Sequence, residues 1–263
     1  MSYADFERWR ERTCDEPKLS VVIPAYNEAE RILPTLGAFA VVISGFEADW
    51  ELIVSDDGSK DQTAQLVEQL GWSNLRLLRH PNTGKGGAVR RGVMAARGRV
   101  VLFADADNST PIEELPRLLA QLEGGYDVVV GSRAAEGAVE ENKSLLRHLA
   151  SWGLRSLARL LSGVTVKDTQ CGFKLFSRRA VTELFSRQRM MGFSFDLELL
   201  YLARKLGLRL AEVPVRWFDA PGSKVDPFKD SLRFLKDILE IRRLDRQGAY
   251  VNPGPLAPTQ ARG

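Results

Sequence analysis

The sequence predicts an α/β protein, a mostly parallel sheet with helices on both faces. Three observations carry that expectation. Short apolar, β-branched runs alternate with stretches of helical period along the first half of the chain. Four of the five runs end in polar or charged residues: Asn27-Glu28, Asp56-Asp57, Asp105-Asp107 and Ser132-Arg133. The 263 residues are 44% hydrophobic, enough for one large domain with a packed core.

The elements follow in order. LSVVIPAY (19–26) is a buried strand ended by a turn, and EAERILPTLGAFAVVISG (28–45) reads as a helix. WELIVSDDGSKD (50–61) is a second strand running into a polar loop. DQTAQLVEQLG (61–71) is helical, with Gly71 placed to end it. NLRLLRH is a third strand, and KGGAVRRGVMAARG a helix that opens on glycines. RVVLFAD is a fourth strand. PIEELPRLLAQLEGG is a helix with proline in its first turn, and YDVVVGSR a fifth strand. This β-α-β-α rhythm gives parallel strands. Later come a helix in SFDLELLYLARKLG, a strand in RLAEVPVRWFD and a basic amphipathic helix over 226–247. Residues 1–17 read as a charged leader, 18–248 as the domain, and the Pro/Gly-rich 249–263 as a disordered tail.

Bulk charge excludes some roles. Lys and Arg number 37 against 34 Asp and Glu, a balance that argues against a general nucleic-acid binder. Cys14 and Cys171 form no C-x-x-C and no zinc spacing, which fits a reduced, cytoplasmic setting. The start of the chain lacks the apolar core of a signal peptide. The longest apolar stretch, Leu36 to Phe46, falls short of the ~18–20 residues that span a bilayer. No integral membrane segment is therefore expected.

From Lys143 to Lys167 the chain has no acidic residue. Leucines and small residues fall on one helical face, and Arg147, Ser151, Arg155 and Arg159 follow at i, i+4 on another. Two readings stay open: a membrane-surface helix, slightly favoured by the missing acids, and a helix packed on the sheet with a solvated basic face.

The chemistry lies at the strand ends, because ligands of such sheets bind beyond the carboxyl ends of the strands. Asp105-Ala106-Asp107 alone means little in a chain with sixteen aspartates. Two carboxylates at i, i+2 in extended chain do point the same way, and suit a hard cation such as Mg2+ or Mn2+. Such an ion calls for a diphosphate to complete its shell. NTGKGGAVRRG (82–92) is no P-loop, because Arg79 and Gly86 stand where that pattern needs a glycine and a hydroxyl. Its glycines allow close backbone approach, and Lys85 opens a helix; a bare Gly-rich turn is the equal alternative. His80 and His148 read as surface residues, and Cys171 as structural.

SVVIPAYNE, SDDGS, NTGKGGAVRRG, ADADNST, VVGSR, DTQCGFKLF, FDLELLY and GSKV occur in this order across roughly residues 18 to 248. Together they resemble the inverting GT-A glycosyltransferases of family 2. The nearest likeness is to the dolichyl-phosphate glucosyl branch, with the mannosyl branch as cousins. The resemblance implies a GT-A, Rossmann-like fold, a UDP-glucose donor, a polyprenyl phosphate acceptor and an Mg2+ or Mn2+ cofactor. It puts the enzyme at the cytoplasmic face of a membrane, held peripherally. Pro24, Ala25, Tyr26 and Glu28 would line the nucleoside pocket, and Asp57 would accept from the uracil ring, with Asp56 nearby. Lys85 and Gly86 would meet the donor phosphate or sugar. Asp105 and Asp107 would hold the metal, with Ala106 between them against the donor. Arg133, Arg147 and Ser151 would hold the acceptor phosphate, and Lys224 would close over the site. Asp196 is given a sugar-hydroxyl or structural role, because a phosphate acceptor ionised at pH 7 needs no base. Three departures from the resemblance are expected. The N-terminal anchor of the eukaryotic glucosyl enzyme and the C-terminal membrane helices of many bacterial relatives are expected to be missing, and Asn108-Ser109-Thr110 stands where mannosyl cousins often place a glutamine at the third metal position. The rival readings are a GDP-mannose donor, a soluble acceptor, and a non-catalytic nucleotide-sugar-binding module.

Overall fold

The computed structural model describes residues 3–11, 14–46, 49–135, 139–140, 163–218 and 227–251. Arg147, Ser151 and Lys224 lie outside the described residues, as do His148, the basic stretch up to residue 162 and the tail from 252.

The described strands are β1 (Leu19–Ala25), β2 (Trp50–Asp56), β3 (Leu75–Arg79), β4 (Val100–Ala104), β5 (Val128–Ser132), β6 (Val139–Glu140), β7 (Phe173–Ser177), β8 (Leu210–Pro214) and β9 (Arg216–Trp217). Seven of them form one sheet in the order β3-β2-β1-β4-β7-β5-β8, and β6 and β9 make a small parallel pair. β1 pairs in parallel with β2 and β4, β2 with β3, and β5 with β8. The exception is β7, which runs antiparallel between β4 and β5.

Every residue of β1 and β2 is buried, as expected of parallel strands covered on both faces. Alternation along the strands divides the core in two. Val22, Ile53, Phe103 and Val130 face one layer, built by α4 (Lys85–Ala95), α6 (Arg178–Phe185) and α7 (Phe195–Lys205). Val21, Ile23, Leu52, Val54 and Leu102 face the other, built by α2 (Ile32–Ile43) and α5 (Leu115–Glu123). The remaining α-helices among the described residues are α1 (Tyr3–Glu11), α3 (Thr63–Gln69) and α8 (Pro227–Arg246).

The second helix and the leader differ from the sequence reading, which also lacks β7. The second helix starts at Ile32 rather than at residue 28. Pro34 lies in its first turn, where its missing N–H is harmless, and the ring would clash with the carbonyl of an earlier helical turn. Glu28 and Ala29 turn instead, their N–H groups donating to Thr63 Oγ1 and Asp61 Oδ2. The leader contributes α1, whose Trp9 stacks on Trp50 with ring centroids 3.9 Å apart, and Asn74 Nδ2 donates to the Trp9 carbonyl.

Candidate active site

The carboxyl ends of β1, β2, β4 and β5 open on one edge of the sheet, and the expected polar residues stand there. Pro24 and Ala25 are the last residues of β1 and are buried; Tyr26 follows, exposed. Asn27 then takes a left-handed φ of 56°, and Asn108, after the aspartate pair, one of 51°. Asparagine tolerates that region better than other side chains, and both tight turns lie at this edge.

Asp56 ends β2 and Asp57 follows it, both buried. Asp57 Oδ1 accepts from Thr83 N at 2.9 Å and from Arg91 Nη2 at 2.7 Å, and its Oδ2 from Gly84 N at 2.8 Å. Both oxygens are thus committed to the glycine loop. Among the described residues the Asp56 carboxylate accepts a hydrogen bond only from Ser59 N, at 3.3 and 3.4 Å. Sequence reasoning put Asp57 on a nucleobase; its geometry makes it a loop anchor and leaves Asp56 the less engaged carboxylate. Gly84 has φ 99°, and a Cβ there would lie 2.6 Å from the Met191 carbonyl oxygen, so glycine is required twice over. Gly86 is tight for a related reason: a Cβ would meet Phe195 Cβ at 2.7 Å and Met190 O at 2.8 Å. What the small residue admits there is the chain's own 190–195 segment.

That loop delivers Lys85 to the start of α4. Its Nζ lies 2.7 Å from Asp105 Oδ1, with the rings of Phe103 and Phe193 at 5.6 and 5.9 Å. Burial pulls the Lys85 pKa down, but the nearby carboxylates of Asp105 and Asp196 outweigh it and hold it above its ordinary value. Asp105 is seated from below. Its N–H donates to the Gly172 carbonyl at 2.9 Å, and its carboxylate lies so close to Gly172 that a Cβ there would come within 1.9 Å of Oδ2. Buried Ala106 is pinned by Thr35 Oγ1 donating to its carbonyl at 2.7 Å. Asp107 Oδ1 accepts from Ser109 N at 2.9 Å. Glu28 stands near the pair; burial, together with the charges of Asp107 and Asp105, raises its pKa against the lowering effect of Arg31.

The donor set suits a hard divalent cation. It consists of carboxylate oxygens, and Gly172 leaves room for the Asp105 carboxylate. Among the described residues no group of three or more His, Cys, Asp or Glu is placed to hold a metal, so the described part of the clamp is the aspartate pair. Two carboxylates with a diphosphate are a usual set for Mg2+.

Arg133 follows β5 and is fixed on two sides. Its Nε and Nη2 donate to Asp168 Oδ2 and Oδ1 at 2.7 and 2.9 Å, its backbone N–H donates to Oδ2 at 3.0 Å, and its guanidinium lies 5.3 Å from the Trp217 ring. Although burial raises the Asp168 pKa, Arg133 more than reverses this and brings it to about 2. Sequence reasoning missed Asp168 and Lys174. Lys174, fully buried in β7, donates to Asp196 Oδ1 at 2.6 Å and to the Cys171 carbonyl at 2.5 Å. Asp196 therefore sits in a buried ion pair, its pKa raised by burial and restrained by Lys174. Cys171 is structural as expected, its buried thiol pushed up to about 11. His80 is half-buried rather than freely exposed: its Nε2 is buried, and burial with nearby Arg91 lowers its pKa.

The family model for glycosyl transferase family 2 matches residues 20–185, which hold β1 to β5, β7 and the aspartate pair. The chain belongs to glycosyl transferase family 2. It is 39% identical over 245 residues to a dolichyl-phosphate beta-glucosyltransferase of Dictyostelium discoideum, covering 87% of this chain and 75% of that one. It is 38% identical over 251 residues to the enzyme of that name from Homo sapiens, covering 89% and 77%. Its fold is GT-A. Glucosyl-3-phosphoglycerate synthase from Mycobacterium tuberculosis, solved with Mn2+, UDP-glucose and glycerol 3-phosphate, superposes with TM-score 0.65 at 23% identity, covering 94% of this chain and 85% of that one. This family 2 member is accordingly a glycosyltransferase. Among its described residues no helix is long and apolar enough to cross a membrane.

Proposed function

We propose that this family 2 enzyme transfers glucose from UDP-glucose to a polyprenyl phosphate of the dolichyl type, with inversion to a β-linked product. The observation that carries the reading is the convergence of Lys85, Asp105 and Asp107 at the carboxyl edge of β4, with the Lys85 ammonium 2.7 Å from Asp105. A nucleoside diphosphate and a divalent cation need that combination of charges. The acceptor is argued from the named relatives and from Asp196. An alcohol acceptor needs a general base, and the carboxylate considered for it is buried against Lys174. A phosphate acceptor is already ionised at pH 7 and needs none.

In this reading Asp105 and Asp107 would hold Mg2+ or Mn2+, which as a Lewis acid would offset the charge of the departing diphosphate. Lys85 donates to the donor phosphates. Asp56 faces the nucleobase, while Asp57 keeps the loop that carries Lys85. Arg133, with Arg147, Ser151 and Lys224, holds the acceptor phosphate so that its oxygen attacks the anomeric carbon from the face opposite UDP. Attack from that side converts an α-donor into a β-product. The enzyme works peripherally at the cytoplasmic face, where the acceptor's tail stays in the bilayer.

Calorimetric titration with UDP-glucose and GDP-mannose, each with and without Mn2+, tests the donor. Mn2+-dependent binding of UDP-glucose alone is expected, followed by label transfer from UDP-[14C]glucose to a short polyprenyl phosphate. Preference for GDP-mannose, or binding indifferent to the metal, would sink the reading.

A further inference from the structure

We propose that the segment Asp168–Lys174 is a brace that sets both halves of the active site, with Asp168 positioning Arg133 and Gly172 positioning Asp105. The proposal rests on the assignment of Arg133 to the acceptor phosphate and of Asp105 to the cation.

The segment is itself held at three points. Glu212 of β8 accepts from the backbone N–H groups of Lys167 and Asp168, at 2.9 Å each. Lys174 holds the Cys171 carbonyl and is anchored in turn by Asp196 on α7. Beyond Gly172 the chain enters β7, locked between β4 and β5. From this frame two contacts reach the site in opposite directions. Asp168 takes the Nε–Nη2 edge of Arg133 in a bidentate pair and also its backbone N–H, so the guanidinium plane and the loop after β5 are set together. Gly172 accepts the Asp105 N–H, and its missing side chain is the space the Asp105 carboxylate fills. Neither residue needs to touch substrate. Four residues apart, they link the place of the incoming phosphate to the place of the leaving one, and distances between reacting groups govern rate steeply.

A brace with two ends predicts a double dissociation. Asp168→Asn is expected to raise KM for a short polyprenyl phosphate about tenfold, the loss of one charge-assisted contact, while UDP-glucose KM stays within about twofold. Gly172→Ala is expected to weaken Mn2+ binding, read by electron paramagnetic resonance, and to raise UDP-glucose KM by about tenfold, with acceptor KM within about twofold. In a double-mutant cycle Asp168→Asn should add nothing to the acceptor KM of Arg133→Ala. If Gly172→Ala fails to fold, adding Asp105→Ala, which removes the clashing carboxylate, should restore the melt; continued failure would overturn the seating role. Equal loss of donor and acceptor use in each variant, or no change in either, would overturn the brace. A wild-type enzyme that transfers nothing to polyprenyl phosphate would instead overturn the functional reading, and the Mn2+ measurement on Gly172→Ala would still decide its own half.

Discussion

Asp107 is half-exposed, and its one described protein contact is the cap on Ser109 N. Asp107→Ala is therefore expected to abolish transfer at a stability cost within about 1 kcal/mol, the worth of one such hydrogen bond. Large unfolding in a thermal melt would make Asp107 structural. Asp168 behaves oppositely, because its charge is buried and paired. Its carboxyl is held at about 2 against an ordinary 3.8. The sign follows from the depressed folded value: the stabilisation is complete above the unfolded pKa and disappears as pH falls from about 4 toward 2. A shift of that size corresponds to about 2 kcal/mol. Urea midpoints measured down that range should fall less steeply in Asp168→Asn than in the wild type; identical slopes would contradict the pairing.

At the scale of elements, α4 is the piece on which the donor side of the proposed site rests, since it starts at Lys85 and packs on β1 and β2. The contact is close at Gly92, where a Cβ would lie 2.4 Å from Val22 Cγ1 and 3.3 Å from Ser55 Cβ. Gly92→Ala sets two effects against each other: alanine gains about 1 kcal/mol as a helix former, and overpacking a tight core costs about 1–3 kcal/mol. The clash dominates because Val22 is wholly buried and has nowhere to go. A lower urea midpoint is expected; a higher one would mean that helix and sheet separate freely. The same scale explains what pattern reading missed. β7 is five residues long and carries a lysine at its second position. By period alone that lysine belongs on a wet face, so the run does not read as a central strand. It is central because Lys174 meets Asp196, 22 positions later, and the two charges satisfy each other in the core.

At the scale of the whole molecule, the proposed site lies at one edge of the sheet. If the acceptor is a lipid phosphate, as proposed, that edge must face a bilayer. Co-sedimentation with vesicles containing anionic lipid is expected, and it should weaken as salt rises, because exposed basic residues are screened within about 10 Å at 0.1 M. Association with neutral vesicles alone, or none at any salt, would favour a soluble acceptor. The sequence by itself determined the alternation of parallel strands with helices, the polar strand ends and the family-like run of motifs. These are local signals, written in burial period and turn residues that neighbours in the chain enforce. Only the tertiary structure decided that Asp57 holds a loop, that Asp196 is neutralised in the core and that Asp168 grips Arg133. Each of those outcomes depends on which partner a charged group meets 22 to 35 residues away, and a buried charge is governed by its partner, not by its position in the chain.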